Sequence, residues 1–123
     1  NQGEGKIMSC IFYRIVKGEV PCNKVWEDSE FLSFADINPI GEGHSVVIPK
    51  KHFNTLMDLS KEVSERYIDA IKKTGKILMN KYGADGFNSV LNNGKSAGQV
   101  INHVHFHLLP RKKGDNKRVI FIG

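Results

Sequence analysis

Three histidines, His103, His105 and His107, stand at alternate positions, separated by Val104 and Phe106. In an extended chain, side chains two residues apart point to one face, about 6–7 Å from each other. The segment His103–Leu109 therefore reads as a strand, ended by Pro110, that directs three imidazoles one way and Val104, Phe106 and Leu108 into a core. A neutral imidazole offers a lone pair either to a metal ion or to an electrophilic phosphorus. A strand whose solvent face merely happens to carry imidazoles is a third reading. Strict alternation of three of the chain's five histidines argues against it. A metal site would call for a further ligand or a nearby acid, and the segment holds no Asp or Glu. A nucleophilic ring attacks through one nitrogen while the other donates to an acceptor, which fixes the tautomer and steadies the cation that forms. From this segment alone, metal ligand and nucleophile both stay open.

The loop before the strand tips the balance. Asn92, Asn93, Gly94, Lys95, Ser96, Ala97, Gly98 and Gln99 supply small residues that free backbone N–H groups, together with amides and one cation. Such a loop can wrap an oxyanion. By itself it reads as an ordinary hairpin loop; next to three histidines it reads as a phosphate cradle, and phosphoryl chemistry becomes the favoured reading.

The elements that must hold these groups follow from patterning. Cys10 to Val16 suggests one or two helical turns stopped by Gly18 and Pro21. Lys24 to Glu27 and Phe31 to Asp36 predict two short strands with Asp28, Ser29 and Glu30 turning between them. A loop through Asn38, Pro39, Gly41 and Gly43 leads to a β-branched strand, His44 to Ile48, ended by Pro49. Val63, Tyr67, Ile71, Leu78 and Tyr82 repeat at helical spacing, with Ile68 and Ile77 widening the stripe. Ser60 is placed to cap the start of that helix and Gly83 its end. The stripe is core packing and carries no chemistry. Phe87 to Leu91 predicts a strand before the loop, and Val119 to Ile122 a last edge strand. Strands before and after one long helix imply an α+β domain, mostly antiparallel, with a short N-terminal helix.

With 123 residues, 40% hydrophobic and 25% charged, the chain suits one globular domain. That domain is expected over 8–123, with Met8 as a natural start and 1–7 as an extension or remnant. No apolar run reaches the roughly 18–20 residues of a membrane span, and the N-terminal residues lack a signal-like apolar stretch. Cys10 and Cys22 are too few for a disulfide framework and suit a reducing compartment as two buried thiols. The net charge of +5 favours an anionic ligand. Arg111, Lys112, Lys113, Lys117 and Arg118 cluster without an aromatic residue to stack on bases, so a solvated tail is favoured over a nucleic-acid surface.

His-Val-His-Phe-His-Leu-Leu, from His103 to Leu109, resembles the motif of the histidine triad (HIT) superfamily. The likeness extends over most of the chain. It takes in Cys10-Ile11-Phe12, Gly18-Glu19-Val20-Pro21, Asp36-Ile37-Asn38-Pro39, Gly43-His44, Val47-Ile48-Pro49-Lys50-Lys51-His52 and the Asn92 to Gln99 loop. The branch it is most similar to is that of the Hint and bacterial-type HIT hydrolases. The resemblance implies that His105 is the nucleophile forming a covalent nucleotidyl-histidine. His107 would hold the phosphate oxygens, His103 would orient the nucleophile through main-chain or side-chain hydrogen bonds, and His44 would support the cluster from a neighbouring strand. It further implies that Asn92 and Gln99 contact the phosphate, that Phe12, Ile15 and Ile37 form an apolar base pocket, and that Asp36 accepts from the ribose hydroxyls. A homodimer joined partly through the long helix is implied as well.

Two positions depart from the pattern. Some relatives carry a Cys-x-x-Cys pair that binds zinc with histidines. Here Tyr13 stands at the second position, so no bound zinc and no cofactor are expected. Val100 stands where animal-type Hint enzymes have a serine that assists a leaving amine, which puts the leaving-group preference in question. The sequence also ends soon after Ile122, so a C-terminal contribution to a partner's site is expected to be short or absent. The expected function is hydrolysis of purine nucleoside phosphoramidates or related AMP conjugates. The alternatives are dinucleoside polyphosphate hydrolysis, as in the Fhit branch, or a nucleotide-binding regulatory module with weak catalysis. A nucleic-acid deadenylating enzyme would need an added DNA-binding element, and no zinc finger is present. A cytoplasmic location is expected, with the nucleus as a second compartment.

Overall fold

The structure is a computed structural model that describes residues 9–116. The predicted strand Val119–Ile122, together with Lys117 and Arg118, lies outside the described residues. In chain order the elements are α1 (Ile11–Val16), β1 (Lys24–Glu27), β2 (Phe31–Ala35), β3 (Ser45–Pro49), α2 (Lys61–Tyr82), β4 (Gly86–Leu91) and β5 (Phe106–Arg111). Short 3-10 turns lie at Leu56–Asp58 and Lys95–Ala97. The five strands form one sheet of order β1-β2-β3-β5-β4, antiparallel at every pairing. This is the α+β architecture that the pattern implied.

Both faces of the sheet are covered, which explains why β2 and β3 read as nearly unbroken apolar runs rather than as alternating ones. Phe31 and Val47 face α2 and pack with Tyr67, Ala70, Ile71 and Leu78. Their neighbours Leu32, Phe34, Val46 and Ile48 point the opposite way and pack with Phe12 of α1. The functional groups lie on this second face: His107 pairs with Val46 across β5 and β3.

Helix α2 starts at Ser60, whose hydroxyl accepts from the Val63 N–H at 3.1 Å, and ends at Gly83 in the left-handed conformation at φ 64°. Its buried stripe differs from the predicted one. Ala70, Thr74 and Gly75 fill the centre, whereas Ile68 is 51% exposed. Small residues let the helix approach the sheet closely; a Cβ on Gly75 would meet the Phe87 ring at 2.6 Å. The Thr74 hydroxyl donates to that of Ser33 at 2.9 Å, so the polar atoms in this layer satisfy each other.

The histidine segment is corrected as well. Regular pairing begins at Phe106, not His103, and runs through Pro110 to Arg111. Pairing of β5 with β3 ends at Leu108, so Pro110 has a strand partner on one side alone, Phe87 of β4, where a missing N–H is tolerated. Upstream, the chain bends. The His103 N–H donates to the Ile101 carbonyl at 2.8 Å and the Val104 N–H to the Phe53 carbonyl at 2.8 Å. Pro49 likewise lies inside β3 rather than beyond it.

Candidate active site

Asp36 follows β2 and His44 precedes β3, and the Asp36 N–H donates to the His44 carbonyl at 3.0 Å, holding the two strand ends together. Gly43, at φ 81°, makes the turn that delivers His44 to this point. His107 comes in from β5. The His44 Nε2 atom lies 3.0 Å from Nδ1 of His107 and 3.6 Å from Oδ2 of Asp36. The rings of His105 and His107 stand 4.8 Å apart, and the Phe12 ring meets His105 edge-on at 5.1 Å. Asp36, His44, His105 and His107, with Phe12, Ile40, Val100 and Ile101, line a hollow of about 310 Å³. That is at the small end of ligand pockets, the size class of one small molecule.

Hydrogen-bond partners fix where each ring carries its hydrogen. The His105 Nδ1 faces the His103 carbonyl at 2.8 Å. A carbonyl only accepts, so Nδ1 carries the hydrogen and the lone pair of neutral His105 is on Nε2. The Ile40 N–H donates to His44 Nδ1 at 3.2 Å, so His44 holds its hydrogen on Nε2 and donates it to His107 Nδ1. His107 therefore carries its own hydrogen on Nε2. One ring thus presents a lone pair and its neighbour an N–H, the arrangement that nucleophilic attack at phosphorus with an oxyanion donor requires. Burial pushes the His44 imidazole below its ordinary 6.5, against the opposing charge of Asp36, and keeps it neutral.

The sequence places three imidazoles on one face; the structure brings two of them together. His103 is fully buried and turns to a different cluster, because the chain is not extended between 103 and 106. Its Nε2 faces the Pro49 carbonyl at 2.8 Å and its Nδ1 faces His52 Nδ1 at 3.1 Å and Cys10 Sγ at 3.6 Å. Burial pushes the His103 imidazole down to about 4, with the facing His52 and His105 adding to the shift and the Pro49 bond opposing it. Cys10 and Cys22 are half-buried rather than buried, and burial pushes the Cys22 thiol up.

The other predicted residues divide. Phe12 lines the hollow, but Ile15 packs beside Phe12 and Leu32 in the core and Ile37 is 86% exposed. Asp36 turns one oxygen to the Asn38 N–H at 2.9 Å and the other to the imidazole pair. The Gln99 amide is committed within its loop: Oε1 accepts from Gly94 N–H at 2.7 Å, while Nε2 donates to the carbonyls of Asn54 and Ile101. Gln99 therefore braces the 92–99 loop. Asn92, half-buried, closes β4 into that loop. Beside it, Thr55, Gly94, Lys95 and Asn102 line a separate hollow, which shares Val100 with the histidine one. In the basic cluster, Arg111 is held by Asp115 and Asn88 and Lys112 by Glu42.

Ile40 and His52 were missed by residue-based reasoning. Ile40 acts through its backbone, which leaves no trace in residue type. His52 had a signal, a further histidine just past a proline-ended strand, but nothing local tied it to His103. Among the described residues, two groups of three donors have spacings that suit a metal ion: Cys10, His52 and His103, and Asp36, His44 and His107. They differ in lone pairs. In the second group the Nε2 of His44 carries a hydrogen, because Nδ1 is taken by Ile40. In the first, the Pro49 carbonyl and the Asn54 Oδ1, 3.1 Å from His52 Nε2, draw both ring hydrogens outward. Both Nδ1 lone pairs then point inward with the thiol, so these residues fit a divalent metal such as zinc.

The HIT domain family matches residues 17–114 of this chain. An uncharacterized HIT-like protein of Methanocaldococcus jannaschii is 46% identical over 112 residues, 91% of this chain and 86% of the relative. The adenosine 5′-monophosphoramidase hnt1 of Schizosaccharomyces pombe is 42% identical over 85% of this chain and 75% of its own length. Among solved structures, a zinc-bound histidine triad family protein from Mycobacterium smegmatis superposes with a TM-score of 0.84 at 37% identity, covering 89% of this chain and 80% of that one.

Proposed function

The chain belongs to the HIT domain family, and from that premise we propose that it is a nucleotide hydrolase that transfers a purine nucleoside monophosphate from an amine leaving group to His105 and then to water. The observation that carries this reading is the carbonyl-fixed tautomer of His105, which leaves Nε2 as the attacking lone pair. In the first step Nε2 forms a bond to phosphorus and the P–N bond breaks, the amine leaving with a proton taken from the medium or a nearby acid. The Nδ1–H bond to the His103 carbonyl steadies the resulting cation. The Nε2–H of His107 supplies a donor for a phosphoryl oxygen as charge builds there. In the second step water attacks phosphorus, the P–N bond to His105 breaks, and AMP is released.

Phe12, Ile40 and Ile101 give the hollow an apolar wall suited to a base, and the Asp36 carboxylate on the same hollow can accept from a ribose hydroxyl. The adenosine 5′-monophosphoramidase name of the fission yeast relative points the same way. We read the active form as a homodimer.

The test is turnover of adenosine 5′-phosphoramidate beside diadenosine tetraphosphate. The wild-type chain should favour the phosphoramidate. His105→Ala should lose at least about 10³-fold in kcat, on the scale of losing a catalytic nucleophile, while AMP still binds. Intact-mass analysis of quenched wild-type protein should show an adenylyl adduct that His105→Ala lacks. Undiminished turnover in that variant would remove the proposal.

A further inference from the structure

We propose that the departing amine of the substrate carries a carboxylate, and that Lys95 recognises it in the hollow of about 370 Å³ beside the histidine one. The inference rests on the reading of His105 as nucleophile and adds the chemical class of the group that leaves. The walls of this hollow are Thr55, Gly94, Lys95, Gln99, Val100 and Asn102, with no acid among them. Gly94, at φ 92°, and Gly98, at φ 95°, bound the short turn that sets Lys95 on the rim. Among the described residues no carboxylate pairs with the Lys95 ammonium. The Asp58 carboxylate, which follows Thr55 closely in the chain, accepts from the Thr55 N–H at 3.1 Å. Thr55 Oγ1 accepts from the Met57 N–H at 3.2 Å, so its hydroxyl hydrogen is left to donate. Ammonium, hydroxyl and the Asn102 amide are donors on one hollow, and a single cation matches a monoanion such as a carboxylate.

Val100 joins this hollow to the chemistry. It is 78% exposed and stands on the walls of both hollows. At phosphorus the leaving atom departs roughly in line with the attacking one. A substituent on the departing nitrogen that passes Val100 enters the space in front of Lys95. A third hollow also meets Val100, on the side of Ser9, Cys10, Ile11 and His52, but no lysine or arginine lines it. Charge therefore separates the two routes, and an anionic leaving group is drawn to the Lys95 side. Gln99 keeps that side rigid, since its amide is bonded to Gly94, Asn54 and Ile101. The bonds made and broken stay those of the phosphoramidate reaction: Nε2–P forms, P–N breaks, and the nitrogen takes a proton from the medium or a nearby acid. The carboxylate only binds.

The full chain is given adenosine 5′-phosphoramidates N-linked to glycine and to β-alanine, each beside its neutral carboxamide. At the spacer that fits, the wild type should favour acid over amide by about three- to tenfold in kcat/KM, the range of an exposed charge pair aided by neutral donors. The preference should reside in KM, because the carboxylate contact is the same before and during bond breaking. It should shrink as salt rises from about 0.05 M to about 0.5 M. Lys95→Arg should keep the acid-to-amide ratio, Lys95→Met should bring it to about one, and Lys95→Glu should invert it. Equal values for acid and amide at both spacers in the wild type overturn this inference and leave the His105 reaction standing. A preference that survives Lys95→Met overturns the assignment to Lys95. Turnover of neither compound by the wild type removes the nucleotide-transfer reading, and this inference with it.

Discussion

The hydrogen on His44 sits on Nε2 because the Ile40 amide can only donate to the opposite nitrogen, and that small asymmetry passes through His107 into the hollow. Protonating His44 would set two donors against each other at Ile40, and burial already opposes the charge. The pH consequence has a definite sign. His44 is depressed in the folded chain from an unfolded value of 6.5, so its contribution is fully present above 6.5 and is withdrawn as the pH falls through 6.5 toward the folded value. In chelator-treated protein, the urea midpoint of the wild type should drop between about pH 7 and about pH 5 by more than that of His44→Asn. Equal slopes would mean that His44 titrates normally in the folded chain.

Tyr67 shows how an element holds the site without touching it. From the middle of α2 its hydroxyl donates to the Val47 carbonyl on β3 and accepts from the Phe106 N–H on β5 at 3.3 Å. Those two residues are register partners, so one phenol ties helix and both site-bearing strands together. Tyr67→Phe should cost about 1–3 kcal/mol in urea unfolding, the usual penalty for leaving buried backbone groups unpaired. A change within about 0.5 kcal/mol would show that the strands bond to each other instead. Gly43 is the matching device at the turn before β3. At φ 81°, an added Cβ would lie 2.8 Å from both Pro110 and Tyr82. Gly43→Ala should lose about 1–3 kcal/mol of stability from backbone strain, and phosphoramidate turnover with it, because His44 is the next residue. Turnover at the wild-type level would detach the turn from the chemistry.

Across the whole molecule, the two sheet edges are unlike. β1 is short, irregular in register and charged at both ends, with Lys24 bonded to Glu27, and such an edge discourages pairing. β4 is longer and carries Asn88 and Ser89 instead, and Ile68 on α2 is half exposed. A homodimer through the β4 edge should give a light-scattering mass twice the 13.8 kDa of one chain; a single-chain mass would leave β4 an open edge. Among the described residues no helix is long and apolar enough to cross a membrane.

How much of this was legible before folding depends on the range of the forces involved. Periodicity placed α2 with both caps, the short α1 and all five described strands, because burial and capping are decided within a few residues. Three alternating histidines marked the candidate site for the same reason. What the sequence could not decide was which imidazoles meet. A bend at 101–103 turns His103 away from its neighbours and toward His52, fifty-one positions upstream, while a backbone N–H at Ile40 and a carbonyl at His103 set the tautomers. Main-chain groups are the same at every residue, so their aim is absent from the letters. It exists once the strands have paired and packing on both faces has fixed each ring against its partners.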